Sequence, residues 1–308
     1  MLYKYLIPAL FVWLWSTGFI GAKYGLPYAE PFTLLLIRML LTLVLLAGLA
    51  WALKVRWPDW RGAGHLAVTG LLVHGCYLGG VYYAILGGMP SGVVSLIVGL
   101  QPVVTGVAAV LILREGIAFR QWVGLLLGLV GVSLVILEKL VLTGGDLGAF
   151  PLWTLACAAL ALFGISLGTV YQKRHGTHVE LVPGTMIQYA AASLFFALGA
   201  FAWETRTVEW HPHLQLSMAW LVLAVSIGAI LLLMWLIRRG AANRVASLFY
   251  LVPPVTALQA FWAFDERLGW LAMSGGVISI IGVALVVAPS STDPQPAAAN
   301  ATEHAKRV

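Results

Sequence analysis

Charge is the scarcest property of this chain. Only 10% of its 308 residues are Asp, Glu, Lys or Arg, while 61% are apolar; a soluble domain carries about 25% charged residues. That shortage excludes a water-facing surface over most of the length. Cysteine is almost absent too. Cys76 and Cys157 both fall in apolar runs, with no spacing that builds a disulfide framework or a metal site, and they read as small packed hydrophobes. Acidic residues are missing from the middle of every apolar run, so a buried carboxylate, the usual proton-coupling device in a bilayer, is not on offer. No glycine-rich segment follows a strand pattern, which excludes a nucleotide loop. The net charge of +6 sits between apolar runs. It reads as topology information and not as a nucleic-acid footprint. Neither a cofactor nor a nucleic-acid partner is expected.

What is present is a series of long apolar runs. A helix needs roughly 20 apolar residues to cross the hydrocarbon core. Runs at about 5–25, 32–53, 65–86, 91–113, 119–138, 152–172, 183–203, 216–237, 243–264 and 270–288 meet that length, with ends fixed to a few residues. The first begins near Lys4 and contains Trp13 and Trp15 without a small-x-small exit, so it reads as a first spanning helix and not as a cleaved signal. Residues 289–308 are polar and rich in Pro and Ala and read as a disordered tail. The Asn300-Ala301-Thr302 sequon in that tail reads as chance.

The runs repeat. A shift of 151 positions carries Pro102 onto Pro253, Thr105 onto Thr256, Glu115 onto Glu266, Gly124 onto Gly275 and Gly131 onto Gly282. A shift of 150 carries Ser16 onto Ser166, Gly18 onto Gly168, Lys23 onto Lys173, Glu30 onto Glu180 and Arg38 onto Gln188. Each copy holds five runs, and an odd number of crossings inverts the second copy. The expected fold class is all-α: a polytopic membrane protein of ten transmembrane helices in two inverted five-helix repeats, residues 5–138 and 152–288. Inverted repeats around a midplane site are a common plan for secondary transporters.

Lys and Arg set the orientation. With both termini in the cytoplasm, thirteen of the 18 basic residues fall inside and only Lys23, Lys139, Arg206 and Arg267 fall outside. Arg38 remains, within the second run. The lipid bilayer of the inner (plasma) membrane is the expected setting, with a monomer as the simplest assembly.

The string Trp15-Ser16-Thr17-Gly18-Phe19-Ile20-Gly21-Ala22-Lys23, followed by Glu30-Pro31 and Arg38, resembles an EamA-domain transporter of the drug/metabolite transporter superfamily. The Pro102 and Pro253 centres, with Glu115 and Glu266 at the following helix ends, point the same way. The resemblance covers about residues 5–288. It implies a ten-helix inverted-repeat carrier with a central cavity, similar in architecture to YddG-type amino-acid exporters. An exporter of amino acids, related metabolites or drugs is therefore expected.

The residues themselves suggest where a solute would bind. Proline inside a helix removes a hydrogen bond and kinks the chain, and such breaks persist in a membrane where they border protein or a cavity. Pro102, Pro253 and Pro254 are thus the expected hinge, with kinks near the middle of the fourth and ninth runs. Polar groups inside the runs should face the interior: Ser16, Arg38, His74, Gln101 and Gln188, with Trp15 and Tyr83 as aromatic walls. Arg38 offers a planar fork of donors suited to a carboxylate. His74 is either a site residue or a helix-to-helix hydrogen bond. Trp51, Trp57, Trp60, Trp203, Trp210, Trp220 and Trp270 stand at run ends, as interfacial aromatics do. Small-xxx-small spacings, such as Gly124-xxx-Gly128 and Gly275-xxx-Ser279, read as helix packing faces.

A membrane enzyme would need a nucleophile paired with a base, and no motif links Ser16, Ser95 and His74. A receptor would not need an internal repeat, and a channel would show a filter or charged ring. An importer or facilitator is the nearest alternative, since gradients and coupling set direction.

Overall fold

The computed structural model describes residues 3–113, 119–142, 150–176, 179–229, 232, 251–265 and 269–287. Glu115, Glu266, Trp235, Tyr250 and the 289–308 tail lie outside the described residues. The described chain is helical apart from turns and one isolated bridge, Ala29 to Val208.

The helices are α1 (Tyr3–Gly25), α2 (Pro31–Leu53), α3 (Trp60–Gly70), α4 (Tyr77–Leu86), α5 (Ser91–Val98), α6 (Gln101–Leu113), α7 (Phe119–Leu142), α8 (Leu152–His175), α9 (Leu181–Trp203), α10 (Pro212–Trp220), α11 (Val252–Phe264) and α12 (Trp270–Val287). A π-helical segment, Leu71–Cys76, joins α3 to α4, and a second, Leu221–Ala229, continues α10. The two segments begin 150 residues apart, at the offset of the sequence repeat. Among the described residues, seven helical stretches are long and apolar enough to cross a membrane.

Local chemistry sets several boundaries. Pro31 opens α2 with its φ already helical, and α2 ends at Lys54 in a left-handed conformation, φ 50°. Asp59 caps α3 by accepting from the Gly62 amide at 3.0 Å. The expected third run began near 65, but the helix starts at Trp60 because this cap lies farther upstream.

The fourth run departs from expectation. A kink near Pro102 was expected; the helix instead stops at Val98, turns through Gly99 and Leu100, and restarts at Gln101. Pro102 therefore occupies the first turn of α6. Amides of a first turn have no intrahelical acceptor, so a residue without one is accommodated there, while its ring would clash with a continuous helix behind it. Pro253 likewise stands in the first turn of α11.

Contacts across the molecule are reciprocal. Glu30, at the N-terminus of α2, accepts from the Thr205 and Arg206 amides just after α9, at 2.7 and 3.0 Å. Glu180, at the N-terminus of α9, accepts from the Arg56 amide just after α2 at 3.2 Å. Helices α2 and α9 are thus antiparallel, and the contacts obey the 150-residue offset twice over, Glu30 with Glu180 and Arg56 with Arg206. Helices α7 and α12 pack the same way. Gly131 lies against the Gly275 carbonyl and Ser279, while Gly282 lies against the Gly124 carbonyl and the Gly128 amide. A Cβ on either glycine would collide with backbone, so these positions permit the close approach. Glu138 of α7 adds two hydrogen bonds, from the Gly269 and Ala272 amides at 2.7 Å each, and so caps the start of α12.

The core lies between α1, α2, α4, α5, α8 and α9. Phe11, Leu34, Leu35, Met39, Tyr82, Val93 and Phe196 are almost wholly enclosed. Large apolar side chains cover the outside, among them Val44, Trp51, Leu126, Phe201 and Trp270. A surface of this kind suits lipid and not water.

Candidate functional site

Two adjoining features occupy the middle of the molecule. The first is a cavity of ≈ 20 Å³ between the two helix breaks, lined by Trp15, Phe19, Tyr77, Ser95, Val98, Gly99, Gln101, Ile165, Val252 and Pro253. That is room for about one water, so the halves are drawn together over the site. Gly99 makes this possible: a Cβ there would lie 2.5 Å from Pro253 Cγ.

Each break is tied to the opposite half by a serine. Ser16 of α1 donates to the Val252 carbonyl at 3.3 Å, and Ser166 of α8 donates to the Gln101 carbonyl at 3.4 Å. These two bonds are counterparts under the repeat. Both carbonyls immediately precede a proline. Gln101 reaches Thr169 with its side-chain amide at 3.5 Å. Trp15 borders the cavity and packs on Phe11 with ring centroids 5.6 Å apart.

The second feature is a guanidinium. Arg38 is only 5% exposed. Its Nε donates to Ser226 at 3.1 Å and its Nη1 to the Tyr82 hydroxyl at 3.4 Å. Both partners are neutral. Among the described residues no carboxylate forms an ion pair with it, and three of its five donors have no protein hydrogen bond there. His74 stands alongside, packed edge-on against Tyr189 with centroids 4.5 Å apart and with Gln188 as a hydrogen-bond partner. Gly70 lies directly on the Gln188 backbone and brings the two segments together. Tyr77 joins the features, since its ring lines the cavity and its hydroxyl lies within the field of Arg38.

The structure thus groups Arg38, His74 and Gln188 in one cluster, and Trp15, Ser16, Gln101 and Pro253 around the adjoining cavity. Tyr83 goes elsewhere. Its hydroxyl donates to Glu204 at 2.8 Å and its ring packs on Phe32, near the start of α2. Pro254 follows Pro253 in the first turn of α11. Sequence reasoning did not single out Ser226 or Ser166 as site residues, and it favoured Tyr83 over Tyr82. The repeat offset was a usable signal for Ser166, which pairs with Ser16.

Residues 3–137 and 152–288 each match the EamA-like transporter family. The chain belongs to that family. It is 27% identical over 288 residues to the uncharacterized transporter YvbV of Bacillus subtilis (strain 168), covering 91% of this chain and 90% of the relative. It is 26% identical over 298 residues to the uncharacterized inner membrane transporter YedA of Escherichia coli (strain K12), covering 92% and 93%. A solved structure described as "Crystal structure of protein" matches with a TM-score of 0.64 at 19% identity, over 91% of this chain and 94% of that one; the match shows a shared fold. This EamA-family chain is a multi-pass membrane transporter.

Proposed function

We propose that the chain is a secondary carrier that exports small carboxylate-bearing metabolites, amino acids or related compounds, by alternating access. In this reading ten helices form two inverted five-helix repeats in the inner membrane, with both termini cytoplasmic. The antiparallel run of α2 and α9, and of α7 and α12, supports inversion, because the members of each pair are equivalent under the repeat. The charge asymmetry of the loops supports the orientation. The inner-membrane setting accords with the name of the YedA relative.

Arg38 carries the substrate reading. Arg38 has no counter-ion among the described residues, a buried unpaired cation is costly, and an incoming carboxylate can accept from the donors that Ser226 and Tyr82 leave open. The collapsed cavity then opens by separation of the halves at the Gly99–Leu100 turn and before Val252, with Pro102, Pro253 and Pro254 fixing where the breaks lie. His74, Gln188 and Gln101 supply neutral hydrogen bonds, and Trp15 an apolar wall.

Counterflow of a metabolite panel in proteoliposomes tests the reading without assuming a driving force. Arg38→Gln should reduce carboxylate transport at least tenfold, and Arg38→Lys, which keeps charge but loses the fork, should fall between. Normal rate and affinity in Arg38→Gln would make Arg38 structural only. Uptake measured in inside-out and right-side-out vesicles separates export from import.

A further inference from the structure

Several buried hydroxyls on the helices of this molecule settle on the carbonyl one turn back. Thr42 bonds Arg38 at 2.8 Å, Thr69 bonds His65 at 3.1 Å, Thr169 bonds Ile165 at 2.6 Å and Ser193 bonds Tyr189 at 2.7 Å. This is the ordinary resting place of a helical Thr or Ser. Three hydroxyls, those of Thr105, Thr256 and Ser279, are buried and have no partner among the described residues; of these, the two threonines stand at counterpart positions of the repeat. The carbonyls four residues behind them are those of Gln101 and Val252. These are the carbonyls held by Ser166 and Ser16 from the opposite half.

We propose that each pre-proline carbonyl exchanges one hydroxyl for another during transport. The serine of the opposite half holds it while the halves are drawn together, and the threonine of its own helix takes it when they part. The inference rests on the alternating-access reading. Its physical reason is the cost of an orphaned polar group in the bilayer core. Separation breaks the serine bond, but the threonine then gains one. The freed serine has its own carbonyl one turn back, at Val12 for Ser16 and Leu162 for Ser166. Each carbonyl keeps a hydroxyl donor in both arrangements, and the threonine hydroxyl, unpartnered while the halves are drawn together, gains a partner when they part, which offsets part of the cost of separation. The arrangement occurs twice, at counterpart positions, with the same residue types in the same roles. Ser16, Ser166, Thr105 and Thr256 are positioning residues in this scheme.

Exchange predicts opposite signs. Removing a serine weakens the drawn-together state, and removing a threonine weakens the parted one. Spin labels on Leu10→Cys of α1 and Leu258→Cys of α11, with Cys76 and Cys157 replaced by Ala, report the separation by pulsed distance measurements in lipid nanodiscs. Ser16→Ala should shift the ratio of short to long distances roughly fivefold toward long, and Thr256→Val by a similar factor toward short. Ser16→Thr and Thr256→Ser, which keep the hydroxyl, should stay near wild type. Labels across α6 and α8 should respond alike to Ser166→Ala and Thr105→Val. Shifts in the same direction for serine and threonine variants, or no shift in either, would overturn the exchange. Counterflow by the wild-type protein is scored separately. Opposite shifts without any solute carried would uphold the exchange and remove the carrier reading.

Discussion

The two ends of the α2–α9 pair are built from counterpart residues and fastened very differently. At the start of α2, Glu30 takes three hydrogen bonds from Thr205 and Arg206. Glu204 there takes four more, from the Phe32 amide, the Thr33 amide and hydroxyl, and the Tyr83 hydroxyl, all between 2.7 and 2.8 Å. Arg206 closes the turn on the Ala200, Phe201 and Glu204 carbonyls. At the start of α9 the Glu180 carboxylate takes a single hydrogen bond among the described residues, from the Arg56 amide. Lys54 stands where the repeat puts the counterpart of Glu204. A groove of ≈ 570 Å³ opens beside it, lined by Ala47, Ala50, Trp51, Lys54, Val55 and Met186 among others. The internal symmetry fixes which segments meet, and single side chains then decide how firmly. The Glu30 end is the more firmly fastened of the two.

This contrast can be broken from its strong side first. Glu204→Ala strands two helix N-terminal amides and two hydroxyls in a buried place. It should lower stability by about 2–3 kcal/mol, read as a drop in unfolding temperature in detergent and as faster labelling of an engineered cysteine at the start of α2. Tyr83→Phe removes one of the four donors and keeps the ring on Phe32. A loss of about 1 kcal/mol is expected, and a loss equal to that of Glu204→Ala would mean the lock acts as one unit. Glu180→Gln removes the charge at the exposed, weakly tied end, and stability should stay within about 0.5 kcal/mol. If Glu180→Gln proved as damaging as Glu204→Ala, the asymmetry between the ends would disappear.

Much of the fold was legible because lipid leaves little choice. Long apolar runs must be helices, and the paired prolines, serines and glycines declared the repeat. Arg38 stood out as the one full charge well inside a run. Finer placement was hidden for physical reasons. A proline near the middle of a run signals a break nearby, but only the chain's packing puts that break at Gly99–Leu100, leaving Pro102 to begin the next helix. The choice between Tyr82 and Tyr83 depends on helical phase, since adjacent residues point about 100° apart. The π-helical segment at Leu71–Cys76 changes that phase without any mark in the sequence. Glu138 and Glu204 read as ordinary acids at helix ends. Their partners lie 121 to 172 residues away by sequence, so no local pattern could reveal them as caps of other helices.

The mutual seating of Gly131 and Gly282 has a wider consequence. In that seam, as in the crossed serines and the exchanged glutamates, a residue of one half meets a site on the other, and its counterpart meets the same site in return. That is the signature of an isologous interface, the self-complementary surface by which two identical subunits form a twofold dimer. Here it has been drawn inside one polypeptide. Fusion removes the requirement that both sides of the contact be the same. Arg38 can then stand in one half where Gln188 stands in the other, and Lys54 can replace a second Glu204, each change giving up symmetry for direction.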